Sequence, residues 1–170
     1  FANRSTNDVS FPRKMMWADF TAGGHSNFFD FTYWRGTGRT VNDGEPSRSP
    51  AAEILRGGQY LAEFLAGNEV GFWAMAPHDE VASVKGKGEI YVMTLAKVGQ
   101  EYVCYVLGDG PVTVQLQMTE GTFDIQWYDP KCGKVLRSEE ERVRGKEDCS
   151  FRSPEFADDI VLYVRRSGSR

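Results

Sequence analysis

The spacing of apolar residues changes near residue 70, and this change constrains the fold more than any other feature of the chain. Before it, apolar residues recur at the 3.6-residue period of a helix; after it, they alternate with polar residues. The alternation is clearest in segments 112–118 and 122–128, which are typical of strands with one wet and one buried face. Several such short strands, separated by turn residues, predict a mainly β fold, either an antiparallel sandwich or a barrel.

Three of the predicted strands should lie in the middle of a sheet. Segments 90–96, 102–107 and 160–164 are apolar on both faces, which is typical of strands that are covered on each side. Cys104 lies within the second of them and is expected to be buried. Trp73 and Trp127 also lie in strand-like runs, and we expect both of them in the core.

Two helices are predicted in the first 70 residues. The first runs from Pro12 to Ala22 and ends at a glycine pair, and its Trp17 is expected to pack. The second runs from Pro50 to Ala66 and ends at Gly67. Its apolar residues recur at helical spacing and form a stripe that must pack on something: Ala51, Ile54, Leu55, Gly58, Leu61, Ala62 and Leu65.

Composition excludes several classes of function. The chain has 170 residues, begins at Phe1, and carries a net charge of −4 with a pI near 5.3, which argues against a nucleic-acid binder. Its three cysteines form no Cys-x-x-Cys pair, and its two histidines lie far apart in sequence, so no zinc site and no cofactor are expected. Cys132 and Cys149 flank a predicted hairpin, and the sequence leaves open whether they form a disulfide.

Motifs for catalysis are missing from the sequence. It contains no nucleophile elbow, no phosphate-binding loop, no dinucleotide fingerprint and no His-Glu-x-x-His zinc motif. The adjacent acids Asp158 and Asp159 are expected to be turn and solubility residues rather than a catalytic pair. The charged segment 139–148 is expected to be a solvated hairpin that protects a sheet edge.

The aromatic segment 25–34 is the strongest candidate for a binding site. Sugar rings present apolar C–H faces, so carbohydrate sites combine flat aromatic side chains with amides and carboxylates. The same alternation of aromatics also describes a buried strand, and the sequence leaves both interpretations open. The candidate substrate-binding residues are His25, Asn27, Asp30, Tyr33 and Trp34.

The strand-rich half resembles a known family. Strands at 100–107 and 110–116, the turn Trp-Tyr-Asp-Pro-Lys-Cys-Gly at 127–133, and Asp-Asp-Ile-Val-Leu-Tyr-Val at 158–164 occur in the order seen in the C-terminal β-sandwich named the "putative collagen-binding domain". Upstream, Arg13 and Trp17, followed by glycines and His25, resemble the end of a (β/α)8 barrel in glycoside-hydrolase-like proteins of the DUF4038 type.

This resemblance implies a division of the chain. Residues 1–69 would be a helical and loop remnant of a barrel end, and residues 70–170 an antiparallel β-sandwich. Catalytic acids of such barrels lie on earlier strands, upstream of Phe1, so no catalytic residue is assigned to this chain. The implied function is a non-catalytic accessory sandwich of a glycoside hydrolase that stabilises the barrel and binds carbohydrate or matrix protein.

Two further expectations follow from the resemblance. The alternative function is that of a part of an active glycoside hydrolase whose acids lie upstream, and the chain alone is expected to hydrolyse no polysaccharide. The implied location is extracellular or periplasmic, with the missing N-terminal barrel as a partner and neither nucleic acid nor membrane as one. An apolar face left open by the missing barrel would favour self-association, so a homodimer is a further hypothesis.

Overall fold

Two antiparallel sheets form from the part of the chain in which apolar and polar residues alternate. The computed structural model describes residues 10–24 and 50–168. Within them the strands are β1 (Ala76–Pro77), β2 (Ala82–Lys85), β3 (Tyr91–Lys97), β4 (Glu101–Leu107), β5 (Thr113–Met118), β6 (Gly121–Asp129), β7 (Lys134–Val143), β8 (Glu147–Arg152) and β9 (Asp159–Arg166). The larger sheet has the order β1-β3-β4-β9-β6-β7 and the smaller has β2-β5-β8, so the fold is a sandwich rather than a closed barrel, as the resemblance implies.

Both predicted helices are present. Helix α1 spans Ser10–Thr21 and helix α2 spans Pro50–Gly67. Gly23 lies in the turn that follows α1 and has a φ of 74°, a backbone conformation that favours glycine. The N–H of Gly24 donates to the carbonyl of Asp19 at 2.8 Å, which satisfies an otherwise open carbonyl at the helix end.

A first core fills the space between the two sheets. Strands β5 and β6 direct every second side chain into it, including Leu116, Met118, Ile125 and Trp127, all of them buried. Cys104 from β4 is also fully buried there, which confirms the expectation for this residue. This core accounts for one apolar face of the central strands β4 and β9.

A second core lies between the larger sheet and the helices. Trp17 stacks on Tyr105 with ring centroids 5.9 Å apart, and Phe64 packs on Tyr128 at 4.9 Å and on Tyr163 at 5.4 Å. The helices thus cover the other face of β4 and β9. Two covered faces explain why these strands are apolar on both sides, as predicted.

The tryptophan predictions have a mixed outcome. Trp17 and Trp127 are fully buried, as expected. The prediction for Trp73 is wrong, because this side chain is 78% exposed. It lies in a short 3-10 turn, Phe72–Ala74, that links α2 to β1, so the alternation expected of a strand does not apply to it.

The hairpin between the last two cysteines is also a wrong prediction. Strands β7 and β8 lie in different sheets and do not pair with each other. Cys132 lies in the turn between β6 and β7, Cys149 lies in β8, and both are free thiols. The charged segment 139–148 nevertheless has the expected location, since β7 and β8 each form the edge of a sheet and carry mostly exposed residues.

Candidate functional site

The site predicted from the sequence lies outside the described residues. Segment 25–49 belongs to the part of the chain that the structure does not describe. The five candidate substrate-binding residues therefore remain a prediction: His25, Asn27, Asp30, Tyr33 and Trp34. Helices α1 and α2 lie immediately before and after this segment, so their surroundings carry the structural evidence.

A buried ion pair fixes α1 on the larger sheet. The guanidinium of Arg13 donates to both carboxylate oxygens of Asp159, at 3.0 Å from Nε and 2.7 Å from Nη2. The hydroxyl of Tyr105 donates to the same carboxylate at 2.9 Å. Burial, followed by the neighbouring Asp159 charge, raises the pKa of Tyr105 well above its usual range. The expectation that Asp159 is a solubility residue is therefore wrong, whereas Asp158 beside it lies in the turn.

The side of each helix that faces away from the sheet also carries apolar residues. At about 100° per residue, Met15 points away from Trp17 on α1, and Leu55 points away from Phe64 on α2. Leu55 is 61% exposed, Met15 45% and Phe11 44%. The apolar stripe predicted on α2 is therefore divided between two faces, and its deepest residue, Phe64, was not among those predicted.

A cleft of about 550 Å³ lies where α2 ends over the larger sheet. Three separate segments line it: residues 67–69 at the end of the helix, 124–126 on β6 and 163–168 on β9 and beyond. The register of the sheet brings the last two together, because Asp124 is paired with Arg165 and Gln126 with Tyr163. The cleft therefore lies on the same face of the sheet as the helices, beyond the end of α2.

A network of hydrogen bonds beside the cleft joins this face of the sheet to the end of α2. The hydroxyl of Tyr163 donates to Glu101 Oε1 at 2.6 Å, and the N–H of Gly71 donates to Glu101 Oε2 at 3.2 Å. Burial, then the hydrogen bond to Glu101, raises the pKa of Tyr163 well above its usual range. Arg165 Nη1 donates to the carbonyl of Asn68 at 2.8 Å, which ties the sheet to the end of α2.

The backbone at the rim of the cleft is strained at Glu69. The φ of Glu69 is 50°, in the left-handed region. Two backbone hydrogen bonds close the end of α2: the N–H of Glu69 donates to the Ala66 carbonyl, and the N–H of Val70 donates to the Leu65 carbonyl. Glycine is the usual residue at this helix-closing position, because a side chain there costs roughly 1–2 kcal/mol. The helix itself ends at Gly67, where the sequence predicted its stop, and Glu69 lies two residues beyond that end.

The described residues offer little for metal or thiol chemistry. Among them, no group of three or more His, Cys, Asp and Glu side chains is placed to hold a metal ion. Burial raises the pKa of the three thiols, to about 12 for Cys104, so the reactive thiolate is disfavoured. No helix in ranges 10–24 and 50–168 is long and apolar enough to cross a membrane.

The cleft could not be located from the sequence. Its polar residues stand at the outward positions of alternating strands, where polar residues are expected in any sandwich. Only the strand register and the position of the α2 end distinguish Asp124 and Gln126 from other outward residues. The left-handed Glu69 gives no sequence signal either, since a glutamate after a helix is common.

Comparison with known proteins agrees with the resemblance noted in the sequence. The family model described as "Putative collagen-binding domain of a collagenase" matches residues 78–165. No curated protein matches the chain. A solved glycoside hydrolase family 5 from Bacteroides vulgatus ATCC 8482 is similar in fold, with a TM-score of 0.63 and 18% identity, over 98% of this chain and 38% of that one. A second structure, described as a glycoside hydrolase, gives a TM-score of 0.54 and 15% identity over 79% of this chain and 29% of that one. The chain thus spans less than half the length of either structure.

Proposed function

The chain belongs to the family of the "Putative collagen-binding domain of a collagenase", and on this premise we propose that it is the non-catalytic C-terminal accessory β-sandwich of a glycoside hydrolase. In this proposal the sandwich stabilises a catalytic (β/α)8 barrel that is encoded upstream and carries the catalytic acids. The whole protein acts outside the cytoplasm, in the extracellular space or the periplasm, where polysaccharide substrates are met.

The observation that carries the proposal is the apolar outer side of the helix layer. Helices α1 and α2 already bury one face on the sheet through Trp17 and Phe64. A helix at the surface of a protein normally presents polar residues to solvent on its other face. Here Met15 and Leu55 are exposed instead, which is expected of a layer that is covered on both sides.

A barrel is the occupant that best fits this face. The family 5 hydrolase with the same fold extends well beyond the matched part, since this chain covers 38% of it. The upstream motif around Arg13 and Trp17, which resembles the end of a barrel, lies on α1 itself, and α2 is the next described helix in the chain. Exposed Phe72 and Trp73, in the turn after α2, add aromatic surface beside the same layer.

The proposal is tested by one double substitution in two lengths of protein. Met15→Gln/Leu55→Gln is introduced into the 170-residue chain and into the protein extended by its upstream coding sequence. If a barrel covers these side chains, the substitution lowers the unfolding free energy of the long protein by about 3 kcal/mol or more and leaves the short chain within about 0.5 kcal/mol.

The matched control replaces two apolar residues that are exposed on the sandwich, Val98 and Val135, with glutamine. This control is expected to change neither length of protein. Equal effects of Met15→Gln/Leu55→Gln in both lengths, or an upstream sequence that encodes no barrel, would contradict the proposal. Urea unfolding followed by tryptophan fluorescence measures each difference.

Binding to a matrix protein is the second candidate function. The family match over residues 78–165 favours it, because the printed description of that family names collagen. The binding surface would then lie on the sandwich rather than on the helices. Co-sedimentation of the chain with fibrillar collagen, at several salt concentrations, tests this function separately from the barrel contact.

A further inference from the structure

We propose that α1 and α2 pack, on the side away from the sandwich, directly against a parallel β-sheet whose strands all run opposite to the two helices. The existence of a partner on this side rests on the proposed function. The kind of layer and the direction of its strands follow from the directions of the helices and from the residues on their outer side.

Helix α1 runs along the larger sheet in the direction of β9. Near its start, Arg13 binds Asp159, the first residue of that strand. One turn later, Trp17 stacks on Tyr105, which the register pairs with Val161, two residues further along β9. The start of α1 therefore lies where β9 begins, and its last turn points to the opposite end of the sheet.

Helix α2 runs in the same direction, beside α1. A Cβ at Gly57 would lie 3.3 Å from the Cβ of Arg13, so this part of α2 is level with the start of α1. Just beyond the last residue of α2, the carbonyl of Asn68 accepts a hydrogen bond from Arg165, near the end of β9. The two helices are therefore parallel neighbours in one layer.

Parallel neighbouring helices need a connection that returns along their length. The chain from the end of α1 to the start of α2 includes residues 25–49, a length of 25 residues. The 18 residues of α2 span about 27 Å, a distance that about eight residues of an extended strand can cover. The connection is therefore long enough for a strand with a loop at each end, which is what a β/α unit requires.

Parallel helices in one layer are typical of folds in which each helix joins two parallel strands. The larger sheet of the sandwich is not the sheet that these helices join, because each of its described strand pairs is antiparallel. A parallel sheet would instead lie on the other side of the helix layer, which is the exposed side.

The outer side of both helices carries small or apolar residues. On α2, Ala62 and Ala66 lie within about 20° of Leu55 around the helix axis, and all three are exposed. On α1, Ala22 lies within about 20° of Met15, and both are exposed. A helix that faces solvent normally carries polar residues at such positions, whereas alanines allow a second layer to approach closely.

The direction of the helices predicts the direction of the covering strands. In a β/α unit a helix runs opposite to the strands that it joins, so parallel helices require strands of one direction. Ala62 follows Leu55 by seven residues, about 10 Å along α2, which corresponds to about three residues of a strand. In every covering strand, the residue nearest Leu55 should therefore follow the residue nearest Ala62 by about three positions.

The experiment places the photo-crosslinking residue p-benzoylphenylalanine, at one position at a time, in the protein extended by its upstream coding sequence. The positions are Leu55 and Ala62 on α2, with Met15 and Ala22 on α1 as an independent pair of the same spacing. Mass spectrometry identifies the crosslinked peptides after irradiation of the folded protein. We expect crosslinks within one molecule to short apolar segments outside the sandwich, displaced by about three residues with the same sign in every segment.

The matched control places the same photo-crosslinking residue at Val135, which is exposed on β7, and should give no crosslink to those segments. Three results would overturn the inference: crosslinks that join two copies of the chain, crosslinked segments with helical spacing or with displacements of mixed sign, or crosslinks no stronger than those from Val135.

The variant Met15→Gln/Leu55→Gln reports separately on whether the outer side is covered at all. If this variant destabilises the long protein while the crosslinks reveal helices or strands of mixed direction, the parallel sheet is wrong and the barrel contact stands. If the variant has no effect on the long protein, the barrel contact itself fails. The two failures can therefore be distinguished.

Discussion

At the scale of single residues, Asp159 joins the helix layer to the sheet by charge. Its carboxylate accepts two hydrogen bonds from Arg13 and one from Tyr105, and both charged groups are buried. The substitution Arg13→Met leaves this carboxylate buried without its counter-charge. We expect the free energy of unfolding, measured in urea, to fall by about 3–5 kcal/mol.

Two further variants separate this buried pair from an ordinary surface pair. Arg13→Met/Asp159→Leu removes both charges and should recover most of the loss. Lys14→Met breaks the neighbouring pair with Asp158, which is part-exposed, and should cost less than about 1 kcal/mol. If Arg13→Met costs no more than Lys14→Met, the ion pair does not anchor α1.

The role of Asp159 illustrates what a sequence does not reveal about a single residue. Two acids before an apolar strand are typical of a turn, and Asp158, with a φ of 75°, is indeed in one. The partner of Asp159 lies 146 residues away in the sequence, so no local pattern connects them. Trp73 shows the opposite error, since it was predicted to be buried and is exposed. The residues around a tryptophan in the sequence do not show whether its side chain is buried.

At the scale of elements, the two helices meet at a pair of glycines. A Cβ at Gly57 would lie 3.3 Å from the Cβ of Arg13, closer than most such contacts, and one at Gly58 would lie 3.5 Å from the sulfur of Met16. The substitution Gly57→Leu should therefore force the helices apart and lower the free energy of unfolding by about 1–3 kcal/mol.

The control for this substitution is Gly67→Leu, at the open end of the same helix. A Cβ there meets no atom within 4 Å, so the only effect is the better helix propensity of leucine, worth up to about 1 kcal/mol of stabilisation. Chemical denaturation should give opposite signs for the two variants. The same sign for both would show that the helices do not need the close approach at Gly57.

Elements are the scale at which sequence reasoning works best in this protein. The period of apolar residues predicted both helices and the main strands, because burying one face is a local requirement of each element. The stripe on α2 was predicted as a single face, although Leu61 and Leu65 pack on the core under the helices whereas Leu55 is exposed. A pattern shows that residues are apolar, but not how many neighbouring layers cover them.

At the scale of the whole molecule, the larger sheet is shared by two cores. One lies against the smaller sheet and the other against the helices, so β4 and β9 are covered on both faces. The cleft arises from the same arrangement, where the end of α2 lies beside β6 and β9. It depends on strand register and helix length together, and neither is determined by residue patterns alone.

The core under the helices contains buried phenols that make stability depend on alkaline pH. Burial is the first cause that raises the pKa of Tyr105 and Tyr163 above the ordinary value near 10, with Asp159 and Glu101 as their respective neighbours. Burial also raises the pKa of Tyr128 to about 12. Below pH 10 these phenols are protonated in both the folded and the unfolded chain, so their contribution to stability is fully present.

Above pH 10 the unfolded chain loses these protons while the folded chain keeps them. The unfolded state therefore gains stability as the pH rises, and each phenol lowers the free energy of unfolding by up to about 1.4 kcal/mol per pH unit until its folded pKa is passed. We expect the melting temperature to fall steeply between pH 10 and 12, with phenolate absorbance near 295 nm from these residues appearing only on unfolding. Tyr105→Phe should make the fall less steep, because the variant has one phenol fewer whose proton is lost on unfolding. A melting temperature that stays constant from pH 9 to 11.5, or a slope that Tyr105→Phe leaves unchanged, would contradict the assignment of buried, protonated phenols beneath the helices.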